Sequence, residues 1–490
     1  MTRVLELIAQ RDHGLIAAAE TTFDEQRVWV EHGIVIVAGR STRSQESAIR
    51  SAPRTDMIAR QARMGRLASL SILLAFAIAG CRGGTIAASD SEPIRIGVVL
   101  PQTGGLAQDG QSWVRGVRLA TDEVNAAGGL LGGRRVELLV VDSATESGAG
   151  VSGAQRVIAR GAVAVIGDGG SGGSLAIYNM VTRMAAIPQI SGSATSTSLT
   201  SANAALPASQ RYFFRTAPPD GYQAQVVDRI ARMTITPACA RLAVLYQNDA
   251  YGMPLAQGIM NTFGGHGTIA AMVPFTPSQA SYMSETMMIS SASPDCVALI
   301  AYPQDAGVIL RNWTLTTGHP TVKWIGTDGL FSDDFITQAA MSPLLNNFYG
   351  ASPLTTPSTP EFDAFAARYA AAYGHAPENF VSSYYDATAL VLLAIERAGS
   401  TDGSMIRDAL RTIGGPGGTV LEHAAQLREA LAGLESSMAL PINYQGASGP
   451  IDFDANGDTV APYEIWQISG TPPTFHSLAV VQATDLMMLP

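Results

Sequence analysis

The chain has 490 residues, with 41 acidic against 31 basic and a net charge of −10. That length is enough for two or three domains and a large core. Its one lysine, Lys323, and its scattered arginines make no basic stripe, which argues against nucleic acid as a partner; acidity alone signals only solubility.

The first informative element lies near the N-terminus. Arg60, Arg63 and Arg66 precede an apolar run from Leu67 to Ala79. The run is short for a bilayer span and has the shape of a secretory h-region. It ends in "AIAGC", small residues before Cys81. This ending resembles a bacterial lipobox, in which cleavage leaves a lipid-modified Cys81 at the new N-terminus. The expectation is a signal peptide over residues 57–81, started at Met57 or Met64. A small, polar tether follows over 82–92. Residues 1–56 are expected to be a mis-called start without function. A buried core helix with an incidental cysteine is the alternative.

From Pro93 short apolar runs alternate with amphipathic stretches, the mark of parallel, doubly wound sheets. The first strands are "PIRIGVVL", "RRVELLVVDS", "AVAVIGDG", "IPQISG" and "RYFFRT". The stretch "WVRGVRLATDEVNAAGG" between the first two ends in a glycine pair suited to a helix C-cap. At "TAPPDGYQAQ" the prolines end one unit and Asp220 can cap the next helix. The pattern then restarts as "RLAVLYQND", "IAAMVPF", "CVALIAYP", "VKWIGTD" and "NNFYGAS". Two α/β lobes of alike layout are expected. Lobe 1 takes residues 93–218 and 350–445, and lobe 2 takes 219–349 and 446–490. The helical patterns "EFDAFAARYAAAYG" and "NFVSSYYDATALVLLAIERAG" follow, then an extended tail.

Ligands of open α/β sheets sit beyond the carboxyl ends of the strands. In lobe 1 those loops, "PQTGGLAQDG", "DGGSGGS" and "SGSATST", are rich in glycine and hydroxyls. In lobe 2 "QNDAYG", "YPQDAG" and "TDGLFSDD" supply tyrosines and carboxylates. Donors on one lobe facing acceptors on the other would suit a zwitterion.

The loop "VIGDGGSGGSLA" also fits two catalytic patterns. Gly167, Gly169 and Gly172 match G-x-G-x-x-G, and Gly169, Ser171 and Gly173 match G-x-S-x-G. A dinucleotide site needs an acid at the end of the next strand, but that strand ends in "SGSATST". A hydrolase built on Ser171 needs an acid and a histidine at the same sheet edge. His266 and His319 fall at the opposite edge, and His375, His423 and His476 lie in or between helices or in the tail. A tight glycine turn without a ligand is the third possibility.

Together these stretches, with "FFRTAPPDGYQAQ" and "GASGPIDFDANGD", resemble the branched-chain amino-acid-binding protein family, the type I periplasmic solute-binding proteins of ABC importers. The likeness covers residues 93 to 470. It implies two doubly wound α/β lobes joined by three crossings that act as a hinge. It implies no enzymatic activity, no cofactor and no metal. The ligand carboxylate would fall to Ser171, Gly172, Ser193, Ala194 and Thr195. The ammonium would fall to Asp328 and Tyr302, and Tyr251 would line the pocket. Tyr251 and Tyr302 are also of a size to be core aromatics, and Asp328 could instead cap the "LFSDDF" helix. Asp305 is the nearest competing acid and reads as a helix cap. One departure stands out: Asp109 occupies a position where the family often has an aromatic, which puts a purely aliphatic ligand in doubt.

The implied function is an exported, lipid-anchored periplasmic protein that delivers an amino acid or related carboxylate to an ABC permease. A serine hydrolase using Ser171 and a sensor subunit uncoupled from transport are the rivals. Export also implies an oxidising compartment. Cys239 and Cys296 precede the first and third strands of lobe 2. Those strands are neighbours in a 2-1-3 sheet, so a disulfide between the two is expected.

Overall fold

The computed structural model describes residues 21–23, 26–31 and 34–39, and then residues 92–487 apart from 318–321, 341, 416–418 and 423–441. The proposed signal peptide and tether, and Cys81 itself, lie outside the described residues. Upstream, β1 (Thr21–Phe23), β2 (Gln26–Glu31) and β3 (Ile34–Gly39) form an antiparallel meander in a unit of their own. Among the described residues no helix is long and apolar enough to cross a membrane.

Everything from Ala87 onward belongs to one compact unit, built on two parallel sheets. The first is made of β4 (Ile94–Leu100), β5 (Val136–Asp142), β6 (Ala162–Gly167), β7 (Gln189–Ser191) and β8 (Phe213–Arg215), in the order β5-β4-β6-β7-β8. Helices α1 (Ala107–Ala126), α2 (Ser147–Ala159), α3 (Ser171–Ile177) and α4 (Thr197–Ala204) connect them. β4 and β6 are almost wholly buried. Their unbroken apolar runs reflect helices on both faces.

The second lobe begins with α5 (Asp220–Arg229), then β9 (Arg241–Gln247), α6 (Gly252–Phe263), β10 (Thr268–Phe275) and α7 (Met283–Ser291). It continues with β11 (Cys296–Ile300), α8 (Pro303–Thr317), β12 (Lys323–Gly326), α9 (Asp333–Gln338) and β13 (Phe348–Pro353). The chain then runs through α10 (Pro360–Tyr373), α11 (Val381–Ala398) and α12 (Gly403–Ile413). The α10 boundary is legible in "TPEF…YG": Thr359 accepts from the Phe362 N–H, Pro360 opens the first turn, and Gly374 closes the helix at φ 83°. Residues Val381 to Ile395 of α11 are all buried, because α1 and α12 pack on it; its buried acid, Asp386, accepts from Tyr444, the Ala447 N–H and Ser448.

A small sheet of β14 (Thr419–Glu422), β15 (Ile442–Gly446) and β16 (Gly449–Pro450) precedes the last strands, β17 (Tyr463–Ser469) and β18 (Thr474–Val481). The second sheet has the order β10-β9-β11-β12-β13-β17-β18. β17 and β18 are antiparallel additions to a parallel sheet. β13 pairs with β12 as far as Gly350 and with β17 as far as Pro353, so this sheet holds the chain past the expected boundary at residue 349. β9 and β11 are neighbours, and Cys239 and Cys296 are joined by a disulfide with Cα atoms 5.9 Å apart.

Candidate functional site

The glycine run after β6 is wound around a buried acid. Gly167 has φ +125°, and a Cβ there would fall 2.0 Å from the Val99 carbonyl oxygen. A Cβ on Gly173 would fall 2.0 Å from Asp168 Oδ2. Asp168 Oδ1 accepts from the Ser143 hydroxyl at 2.8 Å and from the Gly169 N–H at 2.6 Å. Its carbonyl accepts from the hydroxyls of Ser174 and Ser191. Burial pushes its carboxyl up to about 7. These glycines are therefore explained by packing. The loop presents Ser171, whose Oγ accepts from the Ser196 N–H at 3.2 Å. The described histidines lie elsewhere: His266 beside Asp228, His375 beside Glu378 and His476 beside Thr474.

The loop after β7 is held from behind by Arg215. This buried guanidinium pairs with Asp458 at 2.7 Å and donates to the carbonyls of Ala194 and Ser196. The Ser193 hydroxyl is occupied by the Gly169 carbonyl, at 2.9 Å, and by the Tyr384 hydroxyl, at 2.8 Å. Thr195 is 1% exposed, yet its Oγ1 has no hydrogen-bond partner.

Lobe 2 supplies rings and acids. Tyr251 and Tyr302 stack with centroids 5.5 Å apart and planes 2° from parallel. The Tyr251 hydroxyl donates to Asp328 Oδ1 at 2.8 Å and lies 2.8 Å from Thr327 Oγ1. Burial raises Asp328 above the ordinary carboxylate range, offset in part by Tyr251 and Gln223. Burial and the neighbouring negative charges push both tyrosines well above their ordinary value. Asp328 is not a helix cap: Ser332 caps α9 by accepting from the Asp334 N–H. Asp305 is not a cap either, since it lies inside α8. Its Oδ1 takes the Ser278 N–H and the Tyr282 hydroxyl.

Asp220, read as a cap, has another role. Pro219 holds the cap position of α5. Asp220 is 1% exposed, and neither of its carboxylate oxygens has a partner. Burial and then the charge of Asp328 push it well above the ordinary range, with Thr195 and Arg215 acting against that rise. The Asp220 N–H donates to the Thr195 carbonyl at 2.8 Å, so the second acid is tied to the loop that carries the free hydroxyl.

One cavity between the lobes is lined by Ser171, Ser193, Thr195, Tyr251, Tyr302 and Asp328, with about 400 Å³ of empty space including its mouth. Two of the expected residues do not line it. Ala194 is buried among Tyr178, Leu199 and Phe213, and Gly172 lies next to Ser147 and Asp249. Asp109, Trp113, Phe331, Ser332, Asn379 and Phe380 complete much of the wall. The lobes touch there: the Ser196 hydroxyl donates to the Ala250 carbonyl, and the Asn379 amide to the Phe331 carbonyl.

A family model described as periplasmic binding protein matches residues 93–469. The chain belongs to the periplasmic binding protein family. Among its relatives is the Leu/Ile/Val-binding protein BraC3 of Rhizobium johnstonii, 28% identical over 348 residues, which are 70% of this chain and 89% of the relative. The leucine-binding protein LivK of Thermotoga maritima superposes with a TM-score of 0.66 at 23% identity, covering 80% of this chain and 99% of LivK. A solute-binding protein of an ABC transporter from R. palustris, solved with benzoate, gives 0.62 at 18% identity, covering 80% and 96%. The two-lobed fold is thus that of a type I periplasmic binding protein. At the level of the family the chain is a binding protein and not an enzyme, and its location is extracytoplasmic.

Proposed function

We propose that this periplasmic binding protein is a lipoprotein that captures an amino-acid-like zwitterion between its lobes and delivers it to an ABC permease. The observation that carries this reading is the pair Asp220 and Asp328. Both are buried and pushed up by that burial, Asp328 raises Asp220 further, and neither has a cationic hydrogen-bond partner among the described residues. Arg215, the cation that acts on Asp220, is committed to Asp458. Buried charge is stable only when paired, and a ligand ammonium would supply that pairing. The unpartnered Thr195 hydroxyl and Ser171 would meet the carboxylate, together with the leading N–H groups of α3, which have no intrahelical acceptor. A ligand that touches both lobes favours the closed form, which the permease would read.

The named relatives bind leucine, isoleucine and valine in one case and benzoate in another. Benzoate offers a carboxylate but no ammonium and would leave both acids unpaired, so the zwitterion is favoured. The "AIAGC" motif supports anchoring through Cys81. Ser171 is assigned to binding: its Oγ is engaged by a backbone N–H. Calorimetric titration of the full chain with a panel of α-amino acids and with benzoate tests this reading. Binding of one or more α-amino acids is expected. Binding of benzoate with every amino acid silent would overturn it.

A further inference from the structure

The cavity wall carries more than the residues assigned to the zwitterion. Leu106, Trp113, Phe331 and Phe380 line the cavity with apolar surface, and the carboxylate of Asp109 lines it as well. Asp109 stands in the first turn of α1, with the Ser332 side chain of the other lobe beside it. Burial, and after it the like charges of Asp334, Glu378 and Asp333, push its carboxyl up to about 7 against the opposing effect of Ser332. No lysine, arginine or histidine is among the cavity-lining residues described. A ligand with an aliphatic side chain would therefore enclose Asp109 without a cationic partner, a costly arrangement for its charged form. A methylene chain ending in a cation satisfies both parts of the wall, because long basic side chains lay their stems on apolar surface and keep the charged head on a polar group.

Resting on the amino-acid reading above, we propose that the ligand is a basic α-amino acid whose terminal ammonium or guanidinium pairs with Asp109 at the α1 side of the cavity. Asp109 is then the residue that sets specificity. A second observation supports a ligand in this cavity: Thr195 on its wall is 1% exposed, and its hydroxyl is without a hydrogen-bond partner within 3.5 Å.

The test is calorimetric titration of the full chain with L-ornithine, with L-norleucine, its uncharged isostere, and with L-lysine as the longer homologue. Ornithine or lysine should bind at least tenfold more tightly than norleucine. Asp109→Asn should shrink that ratio at least tenfold, and Asp109→Glu should keep its sign. Melting of each ligand-free variant checks that it is folded. Norleucine binding as well as or better than both basic amino acids would overturn the proposal and leave the amino-acid reading standing. So would a ratio unmoved in folded Asp109→Asn. Benzoate binding with all three amino acids silent would overturn both.

Discussion

The Tyr251 hydroxyl donates to Asp328 Oδ1 at 2.8 Å, from a ring stacked flat on Tyr302. That bond aims one acid of a repelling pair and leaves the other, Asp220, with nothing to accept from. The empty site is thereby held in a state that a cation would relieve. Asp328→Asn and Asp220→Asn should each weaken an α-amino acid by about 2–5 kcal/mol, at least roughly 30-fold. Each should also make the ligand-free protein more stable, because the repulsion goes with the charge. Titration and urea unfolding of the same variants check the two effects. An acid without an amine should bind Asp328→Asn as well as, or better than, the wild type.

The pH dependence of the empty protein follows from the same burial. Asp109 and Asp168 are pushed to about 7 and Asp386 to about 6, and Asp220 and Asp328 also move up. Unfolded carboxylates titrate near 4. The folded state therefore holds more protons between about pH 4 and 7. The stability these groups contribute is full below their unfolded values and is lost as the pH rises through 6 to 7. The urea midpoint of the ligand-free protein should be lower at about pH 8 than at about pH 5, and a higher midpoint at pH 8 would refute this. A saturating amino acid should narrow the gap.

Cys239 and Cys296, 57 residues apart in sequence, tie the start of β9 to that of β11. A disulfide is typically worth about 2–4 kcal/mol, with longer loops at the upper end. Cys239→Ser with Cys296→Ser should lose that much stability in urea. Affinity should change little, since both strand starts lie at the edge opposite the cavity loops. Peptide mapping without reductant that recovers two free thiols would remove the basis for this prediction.

The proposed lipid anchor at Cys81 is tested apart from the site. Expressed in a bacterial host, the protein should fractionate with membranes. Cys81→Ser should stay unprocessed or become soluble. Native protein that still carries residues 1–56 would count against the assigned start.

The alternation of apolar runs with amphipathic stretches made the two sheets legible, because parallel strands covered on both faces read as unbroken apolar segments. The loops of the site were legible for the same reason: they follow the strands. Which side chains of a loop face the cavity was not, since a loop has no period. Thus Ser193 and Thr195 line the wall while Ala194 between them enters the core. Asp220 was misread because an acid opening a helix has a ready local explanation. Its surroundings come from Thr195 and Asp328, brought in by the tertiary fold. Trp113 was hidden on the apolar face of α1, where burial explains a tryptophan equally well. Its indole N–H donates to the Asn379 carbonyl, on a segment distant in sequence.

Two hydroxyls on that loop separate binding from folding. Thr195 Oγ1 is buried without a partner, while Ser193 Oγ is bonded to the Gly169 carbonyl and the Tyr384 hydroxyl. Thr195→Val keeps the shape and removes a hydroxyl that makes no hydrogen bond within 3.5 Å in the empty protein and acts there only on Asp220. Its ligand-free stability should be unchanged or slightly higher. If that hydroxyl serves the ligand carboxylate, the variant loses a hydrogen bond to a charged group, worth about 1.5–3 kcal/mol, or roughly 10- to 100-fold in affinity. Ser193→Ala should do the reverse. It frees the Gly169 carbonyl and the Tyr384 hydroxyl in a dry interior, which costs about 1–3 kcal/mol of stability. Its effect on affinity should be smaller than that of Thr195→Val. Urea unfolding and titration of both variants give four numbers, and the expected pattern is crossed. If Thr195→Val unfolds more easily yet binds as the wild type does, the hydroxyl has a role in the fold, and the carboxylate must be held by Ser171 and the backbone of α3 alone.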